Sequence, residues 1–222
     1  MFSGLSFDSQ RHLYFWQGVR VPKSVSAKVE EHEYPFDERK WLPICAKRDN
    51  VTEHELRHKW QTTNKEACDL GTETHEFLER YSGLESPTTA QQKAGIQFLK
   101  DTLVEHEIVA KEIRMYSRKY NYAGTADLLL RHRTTGNLIL ADYKTNKDIF
   151  KTFGLLKNPF QYLESHPYNK YQLQLSYYQI MLEEINCCIS DRLLVYLKAD
   201  GTYKTFNTVD FTTHLEDYLN KN

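Results

Sequence analysis

A chain of 222 residues, 40% of them hydrophobic, can form one substantial core, so we expect a single domain over residues 1–222. Its formal net charge of -1 excludes a polycation that coats nucleic acid nonspecifically, and any nucleic-acid contact must be a local patch. No apolar run approaches the roughly 18 residues of a membrane span, and the first residues lack the basic-then-apolar plan of a signal peptide. We therefore expect an intracellular, cytoplasmic protein without a membrane partner.

Alternation and helical periodicity predict an α/β domain: a central mixed β-sheet flanked by helices, with a hairpin and helical part at 1–70 and a core at 71–210. Thr52 and Glu55 fit a capping box and begin a helix, which Gly71 is expected to interrupt. In chain order the predicted elements are a hairpin at 11–22, a short helix at 36–47, helices at 52–70, 71–81 and 88–106, strands at 106–117, 123–131 and 137–144, a helix at 171–185, strands at 192–199 and 202–207, and a helix from Phe211.

Two acids and a lysine lie in strands that should bury leucine. Side chains two apart on a strand share a face, so Asp142 and Lys144 are predicted to be neighbours. A turn centred on residues 134–135 would place Asp127 opposite Asp142, whereas a bulge at Gly136 would slip the pairing by one residue. Because opposed carboxylates repel each other, a positive charge is expected between them.

That positive charge has two candidate sources. Lys144 alone would form a structural salt bridge at a strand end. Alternatively, two carboxylates and a backbone carbonyl in a polar cleft form an incomplete oxygen shell, which suits Mg²⁺ or Mn²⁺ and leaves room for water and a phosphate. In that case Lys144 would orient or deprotonate the attacking water, or offset charge in the transition state. Spacing alone leaves both sources open.

The order of short motifs resembles a known family. "GTAD" at 124–127 followed by "DYK" at 142–144 is similar to the GxxD…(D/E)xK core of the PD-(D/E)XK nuclease superfamily, in its RecB-like branch of phage and mitochondrial-type exonucleases. "GTETH" at 71–75 resembles the GTxxH helix of that branch, and "QLSYY" at 174–178 resembles its QxxxY motif. The set keeps the order of the family across residues 71–178.

The resemblance implies a histidine ligand and a third acid. His75 takes the place of the metal-binding histidine, although a histidine on an amphipathic helix is by itself more often solvated or at the core edge. Glu112 takes the place of the acid on the first core strand, and Glu105 and Glu107 compete with it for that position.

Two further segments are candidates for binding a nucleic-acid strand. Gln174 and Tyr178 are four residues apart on a predicted helix, so they share a face and could hold a phosphate, a base edge or the lysine; alternatively, the helix points its tyrosines into the core. The loop at 150–171 could form a wall or lid, or its aromatic residues could seal it onto the core. Its candidate contacts are Lys151, Lys157 and Lys170 for phosphates and Phe160, Tyr162 and Tyr168 for bases.

The resemblance implies a restriction-endonuclease-like catalytic core and a DNA nuclease dependent on Mg²⁺ or Mn²⁺. We expect an exonuclease that acts on DNA ends or single strands in recombination, repair or viral genome processing, and a protein partner in a recombination or replication complex. A structure-specific endonuclease and a non-catalytic nucleic-acid-binding or assembly module remain alternatives. The implied residues are Asp127, Asp142, Lys144 and Glu112 for catalysis, His75, Asp127, Asp142 and the Tyr143 backbone carbonyl for metal, and Gln174, Tyr178, Lys170 and Thr145 for substrate.

No iron-sulfur cluster is expected. Relatives that carry such a cluster have one upstream cysteine and a tight downstream trio. Here only the adjacent pair Cys187-Cys188 lies downstream, after Cys45 and Cys68. We therefore expect reduced thiols at all four positions.

Overall fold

A computed structural model describes residues 3–9 and 11–221 of the chain. In these ranges four short strands and four helices come first, followed by three long strands, a helix, two strands and a final helix. The described elements are β1 Leu5–Asp8, β2 Leu13–Trp16, β3 Val19–Arg20, β4 Lys23–Ser24, α1 Val25–Glu30, α2 Glu38–Asp49, α3 Glu53–Arg80, α4 Ala90–Thr102, β5 His106–Ser117, β6 Tyr122–His132, β7 Leu138–Lys144, α5 Pro167–Glu183, β8 Asp191–Leu197, β9 Tyr203–Asn207 and α6 Thr212–Leu219.

The main sheet contains six of the described strands, in the order β4-β6-β7-β8-β9, with β5 also paired to β6. Because β5 pairs with β6 along almost the whole of its length, β4 and β7 must share the other edge of β6. On that edge β4 runs parallel to Tyr122 and Ala123, whereas β7 runs antiparallel to residues 128–131. Residues 124–127 lie between these two pairings, which leaves a gap in the sheet at that edge.

Helices cover both faces of the main sheet. On one face Leu128 and Leu130 of β6 pack with Leu78 of α3 and Phe98 of α4. On the other face Leu129 belongs to the core that α1, α5 and α6 complete. This alternation follows from the two-residue periodicity of a strand. The predicted α/β class, with a central mixed sheet flanked by helices, is confirmed.

The N-terminal strands form a separate three-stranded sheet, β1-β2-β3. The predicted hairpin is present as β2 and β3, and β1 is an additional strand that the sequence did not predict. This small sheet packs on the start of β6 and the end of β5. Tyr14 shares a buried cluster with Tyr116 and Ala123, and the Trp16 ring stacks on Tyr116 with 4.8 Å between centroids.

The predicted interruption at Gly71 was wrong, because α3 is continuous from Glu53 to Arg80. Its capping box at Thr52 and Glu55 is present as predicted. One glycine costs a helix only about 1 kcal/mol relative to alanine, which is too little to break a capped helix of this length. The expected division of the chain at residues 70 and 71 therefore falls inside a helix.

The start of α5 and two further elements also differ from the predictions. Helix α5 begins at Pro167, four residues earlier than expected, with His166 as the N-cap residue. Proline is well tolerated in the first helical turn, because its missing N–H would have no helical partner there. Helix α1 and strand β4 were not predicted. None of the helices in the described ranges is both long and apolar enough to cross a membrane.

Candidate functional site

The candidate site lies at the gap in the edge of β6. The last pairing between β6 and β7 joins Leu128 to Ala141, so Asp127 lies opposite Asp142 just beyond it, in the predicted register. The backbone N–H of Tyr143 donates to Oδ2 of Asp127 at 2.6 Å. The Asp127 carboxylate thus accepts the hydrogen bond that a backbone carbonyl of β6 would accept in regular pairing. Beyond this point β6 and β7 no longer pair.

A cleft of about 190 Å³ opens at this gap. It gathers residues from the small N-terminal sheet, from the main sheet and from α1, α3 and α5. Its lining consists of His12, Tyr14, Ser24, Val25, Ser26, His75, Gly124, Thr125, Asp127, Asp142, Lys144, Gln174 and Tyr178. The cleft thus brings together six of the site residues that the sequence predicted by motif: His75, Asp127, Asp142, Lys144, Gln174 and Tyr178.

Three potential metal-binding side chains, those of His75, Glu112 and Asp127, lie close together. Nδ1 of His75 lies 3.0 Å from Oδ1 of Asp127. One ligand atom each from His75, Glu112 and Asp127 lies within 4.8 Å of the other two. Burial opposes the charge on both His75 and Asp127, but their mutual attraction outweighs it, so His75 lowers the pKa of Asp127 and Asp127 raises that of His75 to about 9.

Glu112 reaches this cluster from an irregular point in β5. Its φ of 46° lies in the left-handed region, which is costly for a residue with a Cβ atom. Its neighbours Lys111 and Ile113 pair with β6, but Glu112 between them does not. Burial, and then repulsion from Asp127, raises the pKa of Glu112 to about 8. The competing acid Glu107 instead pairs with Arg131 at 3.0 Å on an exposed surface.

Asp142 and Lys144 form an ion pair on the face that strand parity predicted. Nζ of Lys144 lies 2.5 Å from Oδ2 of Asp142. That oxygen is buried and has no partner with hydrogen-bond geometry among the described residues. Burial, and then Asp127, raises the pKa of Asp142 to about 6. Burial disfavours the charged lysine, but Asp142 more than compensates and raises the pKa of Lys144.

Helix α5 supplies a polar pair to the cleft. The side-chain amide of Gln174 donates to the hydroxyl oxygen of Tyr178 at 3.0 Å, as the spacing of four residues allows. Oε1 of Gln174 is buried without a partner in the described part of the chain. Tyr178 approaches the backbone of Gly124 so closely that a Cβ at that position would lie 2.6 Å from its Cε1 atom. Glycine is therefore required where the helix meets β6.

Two predicted substrate residues lie outside the cleft lining. Nζ of Lys170 pairs with Glu33 at 3.0 Å. Thr145 lies beside α3, where its Oγ1 atom would be 3.5 Å from a Cβ added to Gly71. Their roles stay predictions. In the loop at 150–171, Phe160 is fully buried and belongs to the core, whereas Tyr162 is exposed.

His12 and Tyr14 are among the lining residues that the predicted site did not include. Both come from the N-terminal hairpin, whose alternation identified it as a hairpin but did not reveal what it packs against. The hydroxyl oxygen of Tyr14 lies 2.8 Å from Oγ1 of Thr125, a residue 111 positions later in the chain. No local pattern reports a contact over that separation.

The donor set suits a hard divalent cation. Carboxylate oxygens and an imidazole nitrogen converge at Asp127, and the carboxylate of Asp142, which is paired with Lys144, lies opposite Asp127. Magnesium and manganese prefer such oxygen-rich sites, and manganese also accepts imidazole. The residues His75, Glu112, Asp127 and Asp142 therefore fit the cation that the sequence motifs imply.

No family model matches the chain, and a search of curated proteins found no match. Among solved structures, the chain is similar to a candidate exonuclease from Eubacterium rectale, at 12% identity and a TM-score of 0.43, over 70% of this chain and 64% of that one. It is also similar to the protein SSO0001, at 14% identity and a TM-score of 0.32, over 58% of this chain and 56% of that one. The chain thus spans less than two thirds of either protein, and at these scores neither similarity bears on function.

Proposed function

We propose that this protein is a divalent-metal-dependent nuclease that hydrolyses phosphodiester bonds in DNA. One observation carries the proposal: a carboxylate and histidine cluster at Asp127 shares a small cleft with the buried ion pair of Asp142 and Lys144. The motifs that supply these residues follow the order of the RecB-like branch of the PD-(D/E)XK superfamily.

The cation would be held by His75, Asp127 and Asp142, with Glu112 as a further acid. The carbonyl of Tyr143 is a proposed additional ligand. Once bound, Mg²⁺ or Mn²⁺ would polarise the phosphate and lower the pKa of a water molecule. Cation binding would displace the protons that His75 and Glu112 hold at neutral pH, because a metal ligand must present a lone pair.

Lys144 is proposed to orient the attacking water and to offset negative charge on the phosphate. Asp142 raises the pKa of Lys144, so the ammonium stays charged at neutral pH and can donate hydrogen bonds. This supports a role as a donor over a role as the base that deprotonates water. Loss of the lysine would also leave Asp142 buried beside Asp127 without its cationic partner.

Gln174 and Tyr178 are proposed to bind the DNA strand next to the reacting phosphate. Among the described residues, the buried acceptor Oε1 of Gln174 has no partner, and the Tyr178 hydroxyl accepts from Gln174 but donates to no residue, so its proton is available to a phosphate oxygen. Thr145 and Lys170 are proposed to contact the strand beyond the cleft. The proposed substrate is DNA with a free end or a single-stranded segment, and an intracellular, cytoplasmic location stays a prediction.

The test is cleavage of DNA labelled separately at its 5′ and 3′ ends, single-stranded and double-stranded, with Mg²⁺, Mn²⁺ or EDTA. We expect metal-dependent cleavage by the wild type and by Lys147→Ala, a matched control at an exposed lysine three residues from the site. Lys144→Ala should bind DNA but cleave it at least about 100-fold more slowly. Its thermal unfolding would be measured alongside, to separate loss of chemistry from loss of fold.

The products distinguish the remaining alternatives. Mononucleotides or short products released from one labelled end indicate an exonuclease and give its polarity, whereas internal fragments indicate an endonuclease. A wild type that binds DNA but leaves every substrate intact in both metals would support a non-catalytic binding module. In that case, or if Lys144→Ala cleaves as fast as the wild type, the proposed chemistry is wrong.

A further inference from the structure

One wall of the cleft has no role in the function proposed above. It is built by Tyr14 of the three-stranded N-terminal sheet, whose hydroxyl contacts Thr125 of β6, and by His12, which lies directly before β2. Thr125 lies two residues before Asp127. The small sheet is therefore held within reach of the reacting centre and does more than cover the end of β6.

The hydroxyl groups of Tyr14 and Thr125 leave one donor free. Each hydroxyl carries one proton, and the 2.8 Å contact between them uses only one of the two. Neither hydroxyl has another partner in the described part of the chain. Burial raises the pKa of Tyr14, whose side chain is 6% exposed, so the phenol stays protonated. The pair can thus donate one hydrogen bond into the cleft.

A second phenol lines the same space. The Tyr178 oxygen accepts from Gln174, which leaves the Tyr178 proton free to donate as well. Two hydroxyl donors and the ammonium of Lys144 therefore border a cleft that the carboxylates of Asp127 and Asp142 also line. Donors grouped in this way suit an anionic oxygen that enters between them, such as a phosphodiester oxygen.

His12 is fixed at the edge of this wall. It lies directly before β2 with a φ of 54°, in the left-handed region that is costly for a residue with a Cβ atom. Its ring packs edge-on against Phe7 at 5.0 Å between centroids. The residue is exposed yet lines the cleft, so its imidazole can meet a ligand at the entrance.

We propose that the N-terminal sheet forms a second phosphate-binding wall, in which the hydroxyl pair of Tyr14 and Thr125 donates to an oxygen of the DNA backbone and His12 contacts the strand at the entrance. This inference rests on the proposed nuclease function. It assigns Tyr14 and His12 to substrate binding and makes the N-terminal sheet a part of the site.

The first test measures binding of a fluorescein-labelled single-stranded oligonucleotide by anisotropy, with Ca²⁺ and in the Lys144→Ala background to prevent cleavage. Tyr14→Phe keeps the ring and removes the hydroxyl, and we expect it to weaken binding about tenfold. His12→Ala, at an exposed position, should weaken binding severalfold without a change in thermal stability. Tyr203→Phe is the matched control, because its hydroxyl contacts Asp101 outside the cleft.

A second test separates direct contact from a structural effect. A series of oligonucleotides would be tested, each with one neutral methylphosphonate in place of a different phosphate along the strand. At the phosphate that Tyr14 contacts, neutralisation and Tyr14→Phe should be non-additive, so the variant loses little further affinity. If the two effects add at every position, Tyr14 does not contact a phosphate and the inference is overturned.

The two proposals fail in different ways. A wild type that cannot cleave DNA refutes the nuclease, whatever Tyr14 does. A wild type that cleaves, together with Tyr14→Phe and His12→Ala variants that keep its affinity and its KM, refutes only the second wall. A raised KM with an unchanged kcat in both variants supports it, because that pattern reports lost substrate binding.

Discussion

Replacing Gly124 with alanine should destabilise the protein, although alanine usually strengthens a strand. A Cβ at residue 124 would lie 2.6 Å from Cε1 of Tyr178 and 2.7 Å from Cγ2 of Val25. Both neighbours are packed, since Tyr178 is 4% exposed and Val25 is 1% exposed. Neither the ring of Tyr178 nor the methyl group of Val25 can therefore move away without disturbing the core.

The magnitude follows from two opposing terms. Overpacking a core position costs about 1–3 kcal/mol, and replacing glycine inside a strand returns about 0.5–1 kcal/mol. The midpoints of these ranges give a net loss of about 1 kcal/mol, which for a chain of this size lowers Tm by roughly 2–4 °C. The displaced Tyr178 ring should also weaken DNA binding.

Gly71→Ala is the matched control. Its Cβ would lie 3.5 Å from Oγ1 of Thr145, which is ordinary van der Waals contact, and residue 71 lies inside α3. Alanine at residue 71 should raise the free energy of unfolding by about 1 kcal/mol and Tm by roughly 2–4 °C. Thermal and urea unfolding of both variants give the comparison. A Gly124→Ala variant as stable as Gly71→Ala would refute the close approach of α5 to β6.

Three further changes test other parts of the structure. Burial lowers the pKa of His32 from 6.5 to about 4, so below pH 6.5 the unfolded chain takes up a proton that the folded chain does not. The free energy of unfolding, measured by urea titration, should therefore fall by about 3 kcal/mol between pH 7 and pH 4. The His32→Gln variant should lack this part of the fall. Thr52→Ala removes the cap of α3 and should cost about 1 kcal/mol by chemical unfolding, whereas Thr62→Ala in the exposed middle of the same helix should not destabilise. His75→Ala should weaken Mn²⁺ binding at least about tenfold by calorimetry, and equal affinity in His75→Ala and the exposed control His58→Ala would remove His75 from the metal site.

Local periodicity determined a large part of the site from the sequence alone. Asp142 and Lys144 are neighbours because strand side chains alternate, and Asp127 faces Asp142 because a short turn sets the register of a hairpin. Gln174 and Tyr178 are likewise in contact because four residues make about one helical turn. Each relation spans few residues, so the chain's own geometry is sufficient.

Only the tertiary structure decided which distant groups join them. It placed Glu112, and not the competing Glu107, beside Asp127, through a backbone irregularity in β5 that no residue pattern announces. It also brought Tyr14 and His12 to the cleft from the far end of the chain. Such contacts depend on how complete elements pack, because a side chain's own sequence neighbours carry no information about the surface that another element presents to it.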